Sequence, residues 1–409
     1  MIEKLPYTRY FKNLDGLRFL AALAVIIGHS QSVILQKQKI AVFEYFANKL
    51  ASFGVDFFYV LSGFLISYLL MQEIDKTGTI QIKKFYMRRF LRIWPLYFLV
   101  GIVSLSTGYY WVKYFHYLEL HEGKYIDYVY NWADYLRNLF YLCTFSINFQ
   151  TLLGHQDPVS SLMISHFWSL AVEEQFYIVW APMVYIFRKN VWVIILLFTG
   201  LGLFFNQLPL KYVAQYSNFH YNFTINRFLL FGLGAALAWG AQYFSWEKIG
   251  QGLLGFLVKI KLPPSVFLLI SNRLVGIIFI LGIQICLLFP ALKYLFGPYF
   301  FEEEERLYNA VVSMIIIASA IADYSALTIL FLENKLFKYL GKISYGIYIF
   351  HVFAVWLSYQ LLENVLDTKS EIFYIMCPIV ATIIAVALSS LSYEFFEKRF
   401  LAMKHKFSI

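Results

Sequence analysis

The sequence predicts an all-α fold, a polytopic membrane helical bundle of about ten transmembrane helices with both termini cytoplasmic. Composition, apolar run length and loop charge each point there. Of 409 residues, 60% are hydrophobic, 20% aromatic and only 14% charged, and the mean hydropathy is +0.61. A soluble domain carries roughly 25% charged residues because water must wet its surface, whereas a lipid-facing surface needs none. Disorder, collagen and coiled coil are excluded on the same ground. The net charge of +9 does not indicate a nucleic-acid partner, since so apolar a chain has too little polar surface for a duplex-binding face. The excess belongs to cytoplasmic loops. Cys143, Cys286 and Cys377 are too few for a disulfide framework and read as buried or weakly exposed thiols.

A helix crosses a hydrocarbon core with about twenty apolar residues at 1.5 Å each. Such runs lie at 14–35, 53–72, 93–112, 167–187, 191–208, 226–243, 272–292, 307–329, 343–362 and 372–393. The first is too long for a signal-peptide core and lacks a small-residue cleavage site after it, so it is read as a retained helix. Segments 135–153 and 252–270, the latter broken by Pro263-Pro264, are too short or interrupted to span and are expected to lie in the interface or re-enter. With both termini inside, the inner segments 1–13, 73–92, 188–190, 244–273, 333–342 and 394–409 hold 22 Lys/Arg against 7 Asp/Glu, and the outer loops hold 10 Lys/Arg. The outer side includes the acidic run Glu302 to Glu305 and the long loop 113–165. This asymmetry follows the positive-inside bias. No repeat and no paired half-helix pattern of a secondary transporter is evident.

Charged residues inside spans cost at least about 2.5–3.5 kcal/mol each on insertion scales, so they are functional candidates. The candidates are Asp15, Arg18, Glu173, Glu174, Arg227 and Asp323, joined by His29 and His351. Eleven helical steps separate Arg18 from His29, about 1100°, so the two share a face about 16 Å apart along the axis. Asp15 stands on the neighbouring stripe and can pair with Arg18. Glu173 and Glu174 point about 100° apart, so one of them faces a site; an ion pair of a Glu with Arg227 is the structural alternative. Lys83, Lys84, Arg88, Arg89 and Arg92 gather before the third span, where guanidinium forks can hold phosphates bidentately, although positive-inside anchoring alone explains such a cluster equally well. Arg89 and Arg92 share one helical face ahead of Trp94-Pro95. His116, His121, His155 and His166 are scattered in a loop without ligand spacing, so no metal site is expected, and no glycine-rich nucleotide loop occurs.

The stretch Asn13-Leu14-Asp15-Gly16-Leu17-Arg18-Phe19-Leu20-Ala21-Ala22 through His29 resembles the opening signature of the acyltransferase 3 family of integral membrane O-acyltransferases. Four further blocks follow in the family's order: Gly54 to Phe64, Phe85 to Tyr97, Phe167 to Tyr177 and Leu340 to His351. The closing stretch Tyr393 to Phe400 matches imperfectly, because Arg399 stands after Glu397-Lys398 where the family usually has proline. The chain is thus read as a single membrane acyltransferase domain over 1–409, and no appended extracytoplasmic domain is expected.

The resemblance implies transfer of an acyl group, commonly acetyl, from cytoplasmic acyl-CoA to a hydroxyl of a cell-surface or lipid-linked carbohydrate, in a bacterial cytoplasmic membrane. Acyl-CoA would be a donor substrate, with no permanently bound cofactor. His29 suits a general base toward the acceptor hydroxyl, with Arg18 on its face and Glu173, favoured by the matching block, as carboxylate orienter of the imidazole. Arg88, Arg89 and Arg92 would hold CoA phosphates, and Ser62-Gly63 would let the pantetheine arm approach the backbone. Tyr345, Tyr348 and His351, three residues apart on one face, and Arg227 are expected against substrate, although aromatic stripes more often pack. The rival reading is a transporter or flippase whose interior charges carry protons or a lipid-linked sugar. A cytoplasmic arginine cluster in line with an Arg-His face distinguishes the enzyme, since a pump needs no CoA site.

Overall fold

The computed structural model describes residues 11, 13–38, 41–121, 131–157, 164–207, 222–243, 305–322, 332 and 334–407. Among these the chain is all-helical. The long helices are α1 (Asn13–Gln38), α2 (Ala41–Thr77), α3 (Ile82–His121), α6 (Phe167–Ile186), α7 (Val191–Gln207), α8 (Phe228–Tyr243), α9 (Glu305–Ala322), α11 (Ser344–Glu363) and α12 (Glu371–Ser392). Short helices α4 (Trp132–Cys143), α5 (Ile147–Leu152) and α10 (Lys335–Lys342) connect them, and a 3₁₀ turn, Thr224–Arg227, leads into α8. Five stretches in the described residues are long and apolar enough to cross a membrane: Ala47–Thr77, Ile82–Gly108, Thr224–Tyr243, Ser344–Glu363 and Glu371–Phe407. Val191–Asn206 and Arg306–Ala318 are shorter apolar helices. Helix α6 has the length, but Glu173-Glu174-Gln175 at its middle lower its apolarity. The expected span 272–292, the segment 252–270 and Asp323 lie outside the described residues.

Local chemistry sets the ends of the connecting helices. Asn131 and Asp134 form a reciprocal capping box at the start of α4, and Ser370 caps α12 through the Phe373 amide. The corner between α4 and α5 turns at Phe145, whose φ of 50° is left-handed. Its ring packs on Trp94, Tyr97 and Phe98 of α3, which holds the corner against the bundle. The segment 135–153, expected not to span, thus holds two short helices, α4 folded on α3 and α5 on α6. At the other end, Tyr393–Glu397 forms a π-helical turn that runs on into α13 (Lys398–Ala402) and a last 3₁₀ turn, Met403–Phe407, against α3. Arg399, in the place where the resemblance leads one to expect proline, is the second residue of α13.

Helix α2 is the central element, packed on α1 along one side and on α8 along the other. Its crossing with α8 is close because glycines stand on both partners. A Cβ on Gly63 would strike the Phe231 carbonyl, and one on Gly234 the Val60 carbonyl. One large core cluster joins α2, α3, α6 and α8, and a second forms where α1 meets α10, α11 and α12. The site lies where these two cores adjoin.

Candidate active site

Three consecutive polar residues of α6 point in three directions, as 100° steps require. Glu173 turns toward α2, where Ser62 Oγ and Tyr177 Oη both donate to its Oε1. Glu174 turns toward α3 and accepts from Trp94 Nε1 at 2.9 Å. Gln175 turns toward the α4–α5 corner, donating to the Phe145 carbonyl at 2.6 Å and to Asn148 at 2.9 Å. Of the two carboxylates, Glu173 thus reaches the internal cavity, the one that its position in the matching block favours.

That cavity, about 170 Å³, is lined by Arg18, Arg89 and Arg92 together with Ser62, Ser169, Glu173, Tyr177, Tyr345 and Tyr348. Residues from α1, α2, α3, α6 and α11 therefore converge on one space. Arg18 is held by Asp15 at 2.6 Å. Arg89 stacks over the rings of Phe85 and Tyr177, and its Nε is buried without a hydrogen-bond partner. Neither Arg89 nor Arg92 has a carboxylate within ion-pair distance among the described residues. Arg88, by contrast, points away from the cavity to Glu73 and the Phe407 carbonyl. Gly63 backs onto Phe231 of α8, so of the Ser62-Gly63 pair only the serine reaches the cavity. Both tyrosine hydroxyls are engaged: Tyr345 donates to the Ile93 carbonyl at 2.7 Å, and Tyr348 bonds Ser169.

His29 is not in the cavity wall. Its Nδ1 lies 2.8 Å from His351 Nε2, and the two rings meet edge to edge and nearly coplanar, with centroids 4.9 Å apart and planes at 12°. His351 Nδ1 bonds the Tyr348 carbonyl, and the ring of His166 stands edge-on to His351 at 5.1 Å. His166 Nε2 in turn bonds the Ile349 carbonyl at 3.0 Å. Tyr348 thus connects the two regions, its hydroxyl end on the cavity and its carbonyl on the histidine cluster.

The pairing expected between Glu173 and His29 is not what the structure contains. Glu173 is taken by Ser62 and Tyr177, and the group against His29 is His351, which helical spacing alone groups with the tyrosines. Arg227 is also elsewhere: it forms a fully buried ion pair with Asp56 at 2.7 Å, with Asn309 completing the carboxylate and Trp168 and Tyr59 over the guanidinium. Asp56, inside the second apolar run, and His166 are not among the site residues that the sequence singles out. Both sit within or next to matched blocks, Asp56 in Gly54 to Phe64 and His166 immediately before Phe167, which is the available signal. No group of three His, Cys, Asp or Glu residues with metal-binding geometry occurs among the described residues.

The apolar helices thus hold an arginine- and carboxylate-lined cavity beside a separate histidine cluster, and comparison with known proteins shows the family of membrane enzymes to which such a chain belongs. The acyltransferase-domain profile of the acyltransferase 3 family matches residues 11–394, and the chain belongs to that family. It is 28% identical over 397 residues to the peptidoglycan O-acetyltransferase OatA of Listeria monocytogenes, covering 95% of this chain and 55% of that protein. A Bacillus subtilis protein provisionally named peptidoglycan O-acetyltransferase YrhL is 28% identical over 413 residues, 97% of this chain and 56% of that one. A Staphylococcus aureus protein provisionally named an O-acetyltransferase is 28% identical over 411 residues, 96% of this chain and 57% of its own length. The chain spans a little over half the length of these relatives. No solved structure matches it.

Proposed function

We propose that this chain is a membrane O-acetyltransferase that takes acetyl from acyl-CoA on the cytoplasmic side of the bacterial inner membrane and delivers it toward a hydroxyl of a cell-wall glycan such as peptidoglycan. The observation that carries the donor assignment is the pair Arg89 and Arg92, side by side on a cavity wall with no carboxylate partner among the described residues, while Arg18, Arg88 and Arg227 each have one. Buried or half-buried guanidinium groups without counter-charge are costly unless an anion completes them. A phosphate or pyrophosphate suits their planar forks. The glycan acceptor rests on the names of the relatives, and the inward position of the arginines on the loop-charge asymmetry.

In this reading the adenosine phosphates sit at Arg89 and Arg92, the pantetheine arm passes Ser62 and Tyr348, and the thioester comes up to His29. Eleven residues of α1, about 16 Å, separate the Arg18 level from the His29 level. His29 takes the acceptor's hydroxyl proton as the oxygen attacks the thioester carbonyl. Collapse of the adduct breaks the C–S bond, and the proton returns from His29 to the departing thiolate. Glu173 fixes Ser62 and Tyr177 in the cavity wall.

The test is the purified protein in lipid nanodiscs with radiolabelled acetyl-CoA and peptidoglycan-derived muropeptides. Label should move to the muropeptide hydroxyls and be lost in the double variant Arg89→Ala, Arg92→Ala. Absence of transfer with saturating acetyl-CoA, or transfer unaffected in the double variant, would overturn the assignment.

A further inference from the structure

Hydrogen-bond chemistry dictates where the protons sit in the histidine cluster. A carbonyl only accepts, so His351 Nδ1, bonded to the Tyr348 carbonyl, carries hydrogen. In the neutral ring the lone pair is then on Nε2. His29 Nδ1 lies 2.8 Å from that lone pair, and one of the two nitrogens must donate, so His29 Nδ1 carries its own hydrogen. The lone pair of a neutral His29 is thereby left on Nε2, an atom with no hydrogen-bond partner among the described residues. The two rings are nearly coplanar, 12° apart, and meet edge to edge, so the bond lies in the plane of both imidazoles as a ring N–H to ring lone pair requires. His166, anchored through its own Nε2 to the Ile349 carbonyl, closes the other side of His351 edge-on. Two successive carbonyls of α11 thus fix imidazoles from α11 itself and from the start of α6, and through the first of them α1.

We propose that His351 is a positioning residue: by accepting from His29 Nδ1 it holds His29 in the tautomer whose Nε2 is free to take a proton. This rests on His29 being the base. It assigns to an imidazole the part a carboxylate plays in a Ser-His-Asp triad, and it releases Glu173 from that part. During the reaction the acceptor O–H bond breaks and an N–H bond forms at His29 Nε2. The Nδ1–H bond to His351 then becomes charge-assisted and stronger. His351 keeps its own proton on Nδ1 throughout, and the added proton leaves His29 for the CoA thiolate when the C–S bond breaks.

The experiment combines ¹⁵N-histidine NMR of the protein in nanodiscs with steady-state kinetics using acetyl-CoA and a muropeptide acceptor. In the parent protein His29, assigned by its loss in His29→Ala, should show a protonated Nδ1 and a bare Nε2. His351→Phe keeps a flat aromatic ring in that place but removes the acceptor. It should mix the His29 tautomers, lower kcat about 10²-fold, the usual size of a general-base contribution, and leave the KM for acetyl-CoA within about twofold. His351→Gln, whose amide oxygen can accept, should recover part of kcat. An unchanged His29 tautomer in His351→Phe, a kcat within about threefold of the parent, or a loss confined to donor KM would each sink the proposal. If His351→Phe does not fold, the parent spectrum still decides, because His29 protonated at Nε2 contradicts the scheme directly. Parental turnover in His29→Ala would instead remove His29 as base. A dead His29→Ala beside an unshifted tautomer in His351→Phe would remove only the role of His351.

Discussion

Arg89 and Arg92 line a cavity with no carboxylate at ion-pair distance among the described residues, whereas Arg88, one residue from Arg89, is tied to Glu73 and to the C-terminal turn. The three neighbours therefore separate experimentally. Arg92→Lys keeps the charge but loses the planar fork, so donor KM should rise about tenfold, one lost charge-assisted contact, with acceptor KM unchanged. Arg88→Lys should leave donor KM near the parent value and lower thermal stability instead. Equal donor binding by parent, Arg89→Ala and Arg92→Ala in calorimetric CoA titrations would refute the phosphate assignment. Glu173→Gln keeps an oxygen for Ser62 and Tyr177 and should be mild, Glu173→Ala removes it and should raise donor KM, and the loss in His29→Ala should fall on kcat by about 10²-fold. Much of this site is legible from spacing within single helices: Arg18 with Asp15, the divergence of Glu173 and Glu174, and the shared face of Arg89 and Arg92. What spacing cannot supply is contact between helices. His29 meets His351 across 322 positions and Ser62 meets Glu173 across 111. Neither pairing leaves a periodic trace, so analogy of chemistry points to a carboxylate for His29 where the packed neighbour is another imidazole.

Helix pairing is controlled by features that hydropathy conceals. Asp56 in α2 and Arg227 at the entry to α8 are each 1% exposed and form the charged clasp of the α2–α8 crossing, beside the close backbone approach at Gly63 and Gly234. An aspartate in an apolar run looks like a flaw until its partner, 171 residues on, is seen. Removing one member strands the other charge in the interior, at a cost of about 3–5 kcal/mol, whereas replacing both with apolar residues of similar volume is often neutral. Asp56→Ala should therefore unfold at markedly lower temperature in nanodiscs, and the double change Asp56→Leu, Arg227→Met should recover most of the loss. A double variant no better than the single would mean that the pair does more than clasp the helices. Gly63→Leu should be worse than either, because the side chain has no space against the Phe231 backbone and the two helices must part. Its failure would also displace Ser62 from the cavity wall, so it cannot serve as a probe of donor binding.

At the scale of the whole molecule, helix content and the positions of the apolar runs are readable because lipid imposes length and apolarity on every span. The helices that bear the chemistry are harder to count as spans: α6 carries three polar residues at its centre, and such helices depart from the apolar rule where they form the site. Orientation is a separate property, carried by loop charge and not by packing. The 22 cations assigned to inner segments against 10 in outer loops predict that Gly78 lies inside and Gly123 outside. Gly78 stands in the turn between α2 and α3 with φ +72° and open space around it. A side chain there would meet no neighbour but would strain the left-handed backbone, so the probe cysteine belongs beside it at Thr79. In a background lacking Cys143, Cys286 and Cys377, a cysteine at Gly123 should react with an impermeant maleimide on intact cells, and one at Thr79 only after permeabilisation. The reverse pattern would put Arg89 and Arg92 on the side away from cytoplasmic CoA, and the donor pathway would have to be abandoned even if every residue contact in the cavity were correct.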